Sequence, residues 1–263
     1  MHRTLHTFIH LTIPFLIAMS APAQEVSRQL FELRLYKLKS EEKASLFDRT
    51  AKEAFLPALK RAGIGPIGVF KPKDKQEADG AAVLRYVVIP YDSAEAMLSL
   101  REKLAADPDF AAAAGDYLSV GKGEEVFDRI ESSLLLAFSG MPKLKAPTPA
   151  KDPAKRFFEL RTYESLSEMK GVLKVQMFNR AELAIFEKVG LRGVFFGEAL
   201  TAANLPQLTY MLEYEDEYDH KAAWKRFLEH PDWLTLKGDE TYKDTVSTIK
   251  TRFLLAMDYS QVK

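Results

Sequence analysis

Two short rows of side chains carry most of the chemistry this sequence has to offer. Glu32, Arg34 and Tyr36 alternate with Phe31, Leu33 and Leu35, and Glu159, Arg161 and Tyr163 alternate with Phe158, Leu160 and Thr162. A period of two is that of a strand, in which residues i, i+2 and i+4 project from one face. Each row therefore presents a carboxylate, a guanidinium and a phenol side by side. Such a set suits either an ion pair that pins strand register or the recognition and acid–base handling of a small polar or anionic molecule.

Other chemistries lack the residues they need. There is no cysteine, so thiolate catalysis and thiolate metal sites are excluded. Of five histidines, His2, His6 and His10 fall in a leader-like start, leaving His220 and His230. These two do not form an i, i+4 ligand pair, and neither a metal nor a haem or other cofactor is expected. His230 precedes Pro231 and is expected to close a helix, its partly positive ring complementing the helix dipole; His220 is expected in a solvated first turn with Asp216, Glu217 and Asp219. Gly63-x-Gly65-x-x-Gly68 matches a dinucleotide fingerprint by letters. It follows a helix and opens a strand, the reverse of the required context, and reads as turn chemistry. No Gly-x-Ser-x-Gly elbow is present, and nothing in the sequence pairs a histidine with Ser132-Ser133.

The rows belong to a duplicated unit. Phe31-Glu32-Leu33-Arg34-Leu35-Tyr36 returns 127 positions later, and Gly63 to Gly190 keeps that offset. Leu84-Arg85-Tyr86 is matched with Leu208-Thr209-Tyr210, and Asp107-Pro108-Asp109-Phe110 with His230-Pro231-Asp232-Trp233. A period this long marks a repeated domain, because solenoid repeats run about 20 to 50 residues. Each copy reads strand, helix, strand, strand, helix, strand. In the first, a strand over 30–37 precedes a helix capped by Ser40, with Phe47, Ala51, Ala54, Phe55, Ala58 and Ala62 on one face, a kink at Pro57 and a stop at Gly63. A second helix is capped by Ser93. In the second copy, strands are expected near 157–163, 193–198, 207–214 and 248–257 and helices near 167–189 and 217–229. Residues 139–156, rich in proline and lysine, read as a semi-rigid exposed linker between domains over 30–138 and 157–258.

A βαββαβ order is that of the ferredoxin-like α+β fold, an antiparallel sheet with both helices on one face. The bare sheet faces can pack on each other within the chain as an intramolecular pseudo-dimeric α/β barrel. With the apolar rows under the helices, the polar rows would point into the lumen between the sheets.

Phe-Glu-Leu-Arg-x-Tyr at the head of each copy, the helix ending in Gly63 or Gly190, and Trp224-x-x-Phe227-x-x-x-Pro231-x-Trp233 together resemble the NIPSNAP family of dimeric α/β barrels. Arg101 and Phe110 stand where the second copy has Trp224 and Trp233, so the first copy is the more diverged. The resemblance implies the barrel and its duplication and carries no agreed catalytic residues. Relatives with this barrel include haem enzymes, cofactor-free monooxygenases, isomerases and non-catalytic proteins. Two functions stay open: a cofactor-free module binding a small molecule or a protein partner, and a cofactor-independent oxygenase or isomerase with a Glu/Tyr acid–base site in the lumen.

A formal net charge of zero gives no bulk attraction to nucleic acid or anionic membrane. Arg3, the apolar stretch Phe8 to Met19 and Ala21-Pro22-Ala23 read as a cleaved signal peptide over 1–23, implying export to the periplasm or medium of a bacterium. The apolar stretch is too short for the roughly 20 residues of a membrane span. Oligomerisation beyond the intramolecular pairing is left open. Intact mass of the protein recovered outside the cytoplasm is expected to place its first residue at Gln24; recovery there of chains that keep Met1 to Ala23 would refute the cleavage.

Overall fold

A computed structural model of the chain describes residues 27–74, 80 and 82–263. The expected leader lies outside the described residues. The first copy runs β1 Leu30–Leu38, α1 Glu41–Thr50, α2 Leu56–Arg61, β2 Gly68–Pro72, β3 Val83–Tyr91, α3 Ala94–Ala105, α4 Pro108–Ala113, α5 Gly115–Leu118 and β4 Phe127–Ala137. The second runs β5 Phe157–Glu164, α6 Glu168–Met177, α7 Leu183–Val189, β6 Arg192–Thr201, β7 Gln207–Tyr214, α8 Glu217–Glu229, α9 Pro231–Lys237 and β8 Thr248–Ala256. Each copy has the strand order of the ferredoxin-like unit, β4-β1-β3-β2 and β8-β5-β7-β6. Because β2 also pairs with β8 and β6 with β4, all eight antiparallel strands close as one barrel.

Local chemistry sets the helix ends. The Oγ atoms of Ser40, Ser93 and Ser167 and the Asp216 carboxylate each accept an N–H from the first turn. Gly63 and Gly190, at φ +79° and +81°, reverse the chain after the first helix of each copy. The kink expected from Pro57 has another origin. A π-helical turn joins α1 to α2 over Ala51–Phe55 and recurs over Phe178–Glu182, where the second copy has no proline. The wider turn is thus common to both copies, and Pro57 occupies the first turn of α2, where it is tolerated. The Asp-Pro and His-Pro echo turns out to be a capping device: Asp107 caps α4, and His230 Nδ1 accepts the Asp232 N–H at 3.2 Å to cap α9. His230 thus closes α8 as expected, its backbone N–H donating to Phe227 O, and also caps the helix that follows through an acceptor nitrogen.

Two expectations about side-chain direction are overturned. Tyr36 pairs with Arg85 and Tyr163 with Leu208, so Arg85, not Leu84, is the counterpart of Leu208. The sequence match was one residue out of register, which in a strand exchanges the two faces. Leu84 and Tyr86 accordingly face the lumen, whereas Leu208 and Tyr210 lie under the helices. The apolar and polar rows are also inverted. Phe31, Leu33, Leu35, Phe158 and Leu160 fill the lumen, while Tyr36 and Tyr163 pack under their own helices. The interior of an eight-stranded barrel is just wide enough for side chains to fill, and here the apolar row fills it. Glu32, Arg34, Glu159 and Arg161 share the outer face with those tyrosines, and the proposed lumen site does not exist.

The lumen is closed by symmetric ring pairs, Phe31 on Phe195 at 5.2 Å and Phe158 on Phe70 at 4.9 Å. The linker is largely exposed, as expected, and is also bound down. Lys145 N–H donates to Val194 O, and Leu144 packs on the lumen cluster. The C-terminal tail does the same for β2, with Gln261 N–H on Ile67 O and Val262 buried. Both segments satisfy edge groups that the short seams β4·β6 and β2·β8 leave over. The full chain is expected to sediment as a monomer at micromolar concentration. Phe70→Ala and Phe195→Ala, each deleting one side of a lumen pair, should cost about 3–5 kcal/mol in urea unfolding; a dimer, or losses near zero, would contradict a core shared between the copies.

Candidate functional site

In the second copy, β5 carries Glu159 and Arg161 on its outer face, β7 ends in Tyr214, and α8 lays His220 and Trp224 over them. The Glu159 carboxylate, 2% exposed at its side chain, collects four donors. Arg161 Nη1 approaches at 2.6 Å, Tyr214 Oη at 2.7 Å, Trp224 Nε1 at 2.9 Å and His220 Nε2 at 3.4 Å. Burial alone would raise this carboxyl, but the hydrogen bond from His220, the charge of Arg161 and the Tyr214 hydroxyl outweigh it and hold it at about 2, below the usual 4.5. Burial, followed by the Glu159 charge, pushes the Tyr214 phenol well up. The Arg161 guanidinium lies 4.7 Å from the Trp224 ring and donates from Nε to Tyr163 Oη at 3.3 Å. Tyr163 and Tyr210 then share a hydroxyl–hydroxyl bond of 2.8 Å.

Above this floor opens a cleft of about 680 Å³, with Lys221, Lys225 and Leu228 of α8 on one side and Thr251 and Phe253 of β8 on the other. Lys221 and Lys225 are exposed at its edge. Next to the tyrosine pair lies a second buried ion pair, Lys174 Nζ to Glu182 at 2.8 Å, with Lys174 against the Phe178 ring at 4.6 Å. Burial pushes the Glu182 carboxyl up, against the charge and hydrogen bond of Lys174.

The first copy keeps the row and changes its guards. Arg34 grips Glu32 with two bonds of 2.6 and 2.8 Å, and the carboxylate also accepts from Tyr91 at 2.9 Å and Ser132 at 3.0 Å. Burial opposes ionisation of Glu32, but the hydrogen bond and charge of Arg34, with Tyr91 and Ser132, hold it below its usual range. Arg34 Nη1 reaches Tyr36 Oη at 3.5 Å. Met97 and Arg101 occupy the places of His220 and Trp224, and Phe47 and Phe55 those of Lys174 and Glu182.

All six residues of the two rows thus gather under the helices, three in each copy, on opposite outer faces of the barrel. His220 is corrected from a solvated helix start. Its ring stands 4.7 Å from Tyr214, 5.4 Å from Phe253 and 5.7 Å from Phe157, and its Nδ1 is buried without a partner among the described residues. The signal was present in the sequence: His220, Trp224 and Phe227 follow i, i+4, i+7 and form the inward-facing stripe of α8. Lys174 and Glu182 were also missed, although each replaces a phenylalanine at the 127-residue offset. Among the described residues no three His, Asp or Glu side chains converge as a metal site, and no helix is long and apolar enough to cross a membrane.

The sequence pattern of the NIPSNAP family matches residues 31–139 and 158–261. The chain belongs to the NIPSNAP family. Among solved structures, it resembles a provisionally named monooxygenase from Lactobacillus acidophilus over 87% of this chain and 94% of that one, at 10% identity and TM-score 0.56. A second provisionally named monooxygenase, from Fusobacterium nucleatum, aligns over 88% and 93%, at 10% identity and TM-score 0.55. An uncharacterized NIPSNAP-like domain protein from Burkholderia xenovorans covers 40% of this chain and 88% of its own length, at 23% identity and TM-score 0.36. No curated protein matches the chain. At these identities the likeness concerns the fold, and within the NIPSNAP fold the chemistry must be read from the clefts themselves.

Because the folded Glu159 carboxyl lies below its unfolded value, its contribution to stability is present above about pH 4.5 and is lost as pH falls through about 2. The separation corresponds to about 3 kcal/mol. In denaturant unfolding between pH 5 and pH 2, Glu159→Gln should show a shallower loss of stability than the parent; parallel curves would mean that this carboxylate is not held low.

Proposed function

We propose that this tandem NIPSNAP chain is an exported binding protein that works without a cofactor and takes a small polar or anionic molecule in the second-copy cleft. The observation that carries the reading is the state of the Glu159 carboxylate. Four donors saturate it and hold it ionised, leaving it poorly suited to moving protons near neutral pH. A Glu/Tyr acid–base site would need the opposite arrangement, a carboxyl raised towards neutrality and an accessible phenol. His220 turns Nε2 to Glu159 and leaves Nδ1 buried, so the imidazole offers no base to the cleft.

Recognition has better support. Arg161, Lys221 and Lys225 give the cleft an excess of positive charge over Glu159 and Glu229, and the planar guanidinium is braced between Trp224 and Tyr163. The cleft's volume falls within the roughly 300–1,000 Å³ of small-molecule sites. Export follows from the leader read in residues 1–23.

Thermal melts of the parent, Arg161→Met and Arg34→Met with a panel of small carboxylates and phosphates test the reading. A ligand at about 100 times its Kd should stabilise the parent by about 2.7 kcal/mol. Arg161→Met is expected to lose that gain and Arg34→Met to keep it. Equal destabilisation by both variants, with no ligand effect in the parent, would make the rows purely structural.

A further inference from the structure

The two copies differ most where their helices cross the polar row. In the second copy aromatic rings fill the side of the row between α8 and α9, beside the cleft already described. Trp224 spans Glu159 and Arg161, Phe227 packs on Phe186 at 4.9 Å, and Trp233 closes on Phe227 at 4.4 Å. At an offset of 123 residues the first copy has Arg101, Leu104 and Phe110 in place of Trp224, Phe227 and Trp233. Two indoles and a phenyl ring give way to one flexible cation, a leucine and one phenyl ring. What opens is a cleft of about 710 Å³ between β1, the π turn after α1, and helices α3, α4 and α5.

Its walls are apolar, built by Phe55, Met97, Leu100, Leu104 and Phe110, with Leu118 more than half exposed at the edge. Its floor is electrically settled, since Arg34 and Glu32 neutralise each other and Tyr91 and Ser132 complete the carboxylate. One charge is left over. Arg101 lines the cleft, is exposed, and makes no hydrogen bond or ion pair with any described residue. A hydrocarbon wall with a single uncompensated guanidinium selects an occupant with an apolar body and one negative group. A lone planar fork matches a carboxylate through two parallel hydrogen bonds, whereas a phosphate dianion would call for more than one cation.

We propose that the first copy holds a second ligand site, distinct from that of the second copy, which takes an apolar monocarboxylate of the medium-chain alkyl or aryl class. The hydrocarbon lies between α3, α4 and β1, covering Leu118, and the carboxylate pairs with Arg101. The Trp-to-Arg and Trp-to-Phe replacements that make the first copy look degenerate are what creates the site: they remove volume and supply the anchor together.

Decanoate is the probe, titrated calorimetrically into the full-length mature chain, with decyltrimethylammonium as its cationic counterpart. The parent is expected to bind decanoate saturably and the cation at least about tenfold more weakly, as losing one charged hydrogen-bonded pair implies. Arg101→Met keeps the stem and removes the charge, and should weaken decanoate by about tenfold or more with an unchanged melting temperature. The double variant Arg101→Trp/Phe110→Trp restores the tryptophans of the second copy and should abolish binding. Arg161→Met should leave decanoate binding intact, which separates this site from that of the second copy. No decanoate binding by the parent, equal binding of cation and anion, or indifference to Arg101→Met would each overturn the proposal. Should the double variant fail to fold, Arg101→Met alone decides.

Discussion

Closure of the barrel by main-chain pairing of β2 with β8 and of β4 with β6 is the constraint from which the rest follows. Each seam joins the first copy to the second, so neither half retains a free sheet edge and the two inner faces share one narrow core. That core admits Phe31, Phe70, Phe158 and Phe195 as interlocking rings, and the outer faces of the sheets receive the polar rows. Each cleft is consequently lined by one copy alone, and the duplicated chain carries two separate environments that can diverge without disturbing each other.

The divergence takes a definite physical form. A carboxylate and a guanidinium under a helix layer are costly to desolvate, and their attraction offsets that cost only if the remaining hydrogen-bonding capacity is also satisfied. Both copies meet this condition for the glutamate, by different means. The second uses a tyrosine, a tryptophan and a histidine, and adds the buried Lys174–Glu182 pair beneath; the first uses a tyrosine and a serine, and has phenylalanines where that pair stands. The shared motif is therefore a scaffold for charge placement. What surrounds it sets each cleft's volume and net charge, and hence what each can recognise.

Much of the architecture was legible in the residues. Period-two alternation, serine caps and left-handed glycines are local effects, determined within a few residues of the chain, and the expected strands and long helices are observed within a few positions, whereas the short helices α4, α5 and α9 were not expected. The 127-residue repeat of Phe-Glu-Leu-Arg-x-Tyr likewise named the residues that share a face. A cap such as Asp107 before Pro108 works wherever the chain goes, which is why such signals survive translation into structure.

What only the tertiary structure decided was which layer each face would meet. In β1 both faces are largely buried, so alternation says that Glu32, Arg34 and Tyr36 point together but not whether they point to helices or lumen. Closure settled it, because joining the two inner faces makes one narrow core, which Phe31, Phe158 and their ring partners Phe195 and Phe70 fill. The same holds for β3 and β7, where a one-residue register difference invisible in Leu-x-Tyr exchanged the faces of Tyr86 and Tyr210. It holds again for His220, whose acidic neighbours in the sequence point to solvent while its helical stripe points to Glu159. The sequence by itself determined which groups travel together; the long-range pairing of strands determined what they face, because burial depends on the whole closed surface and on no local stretch of it.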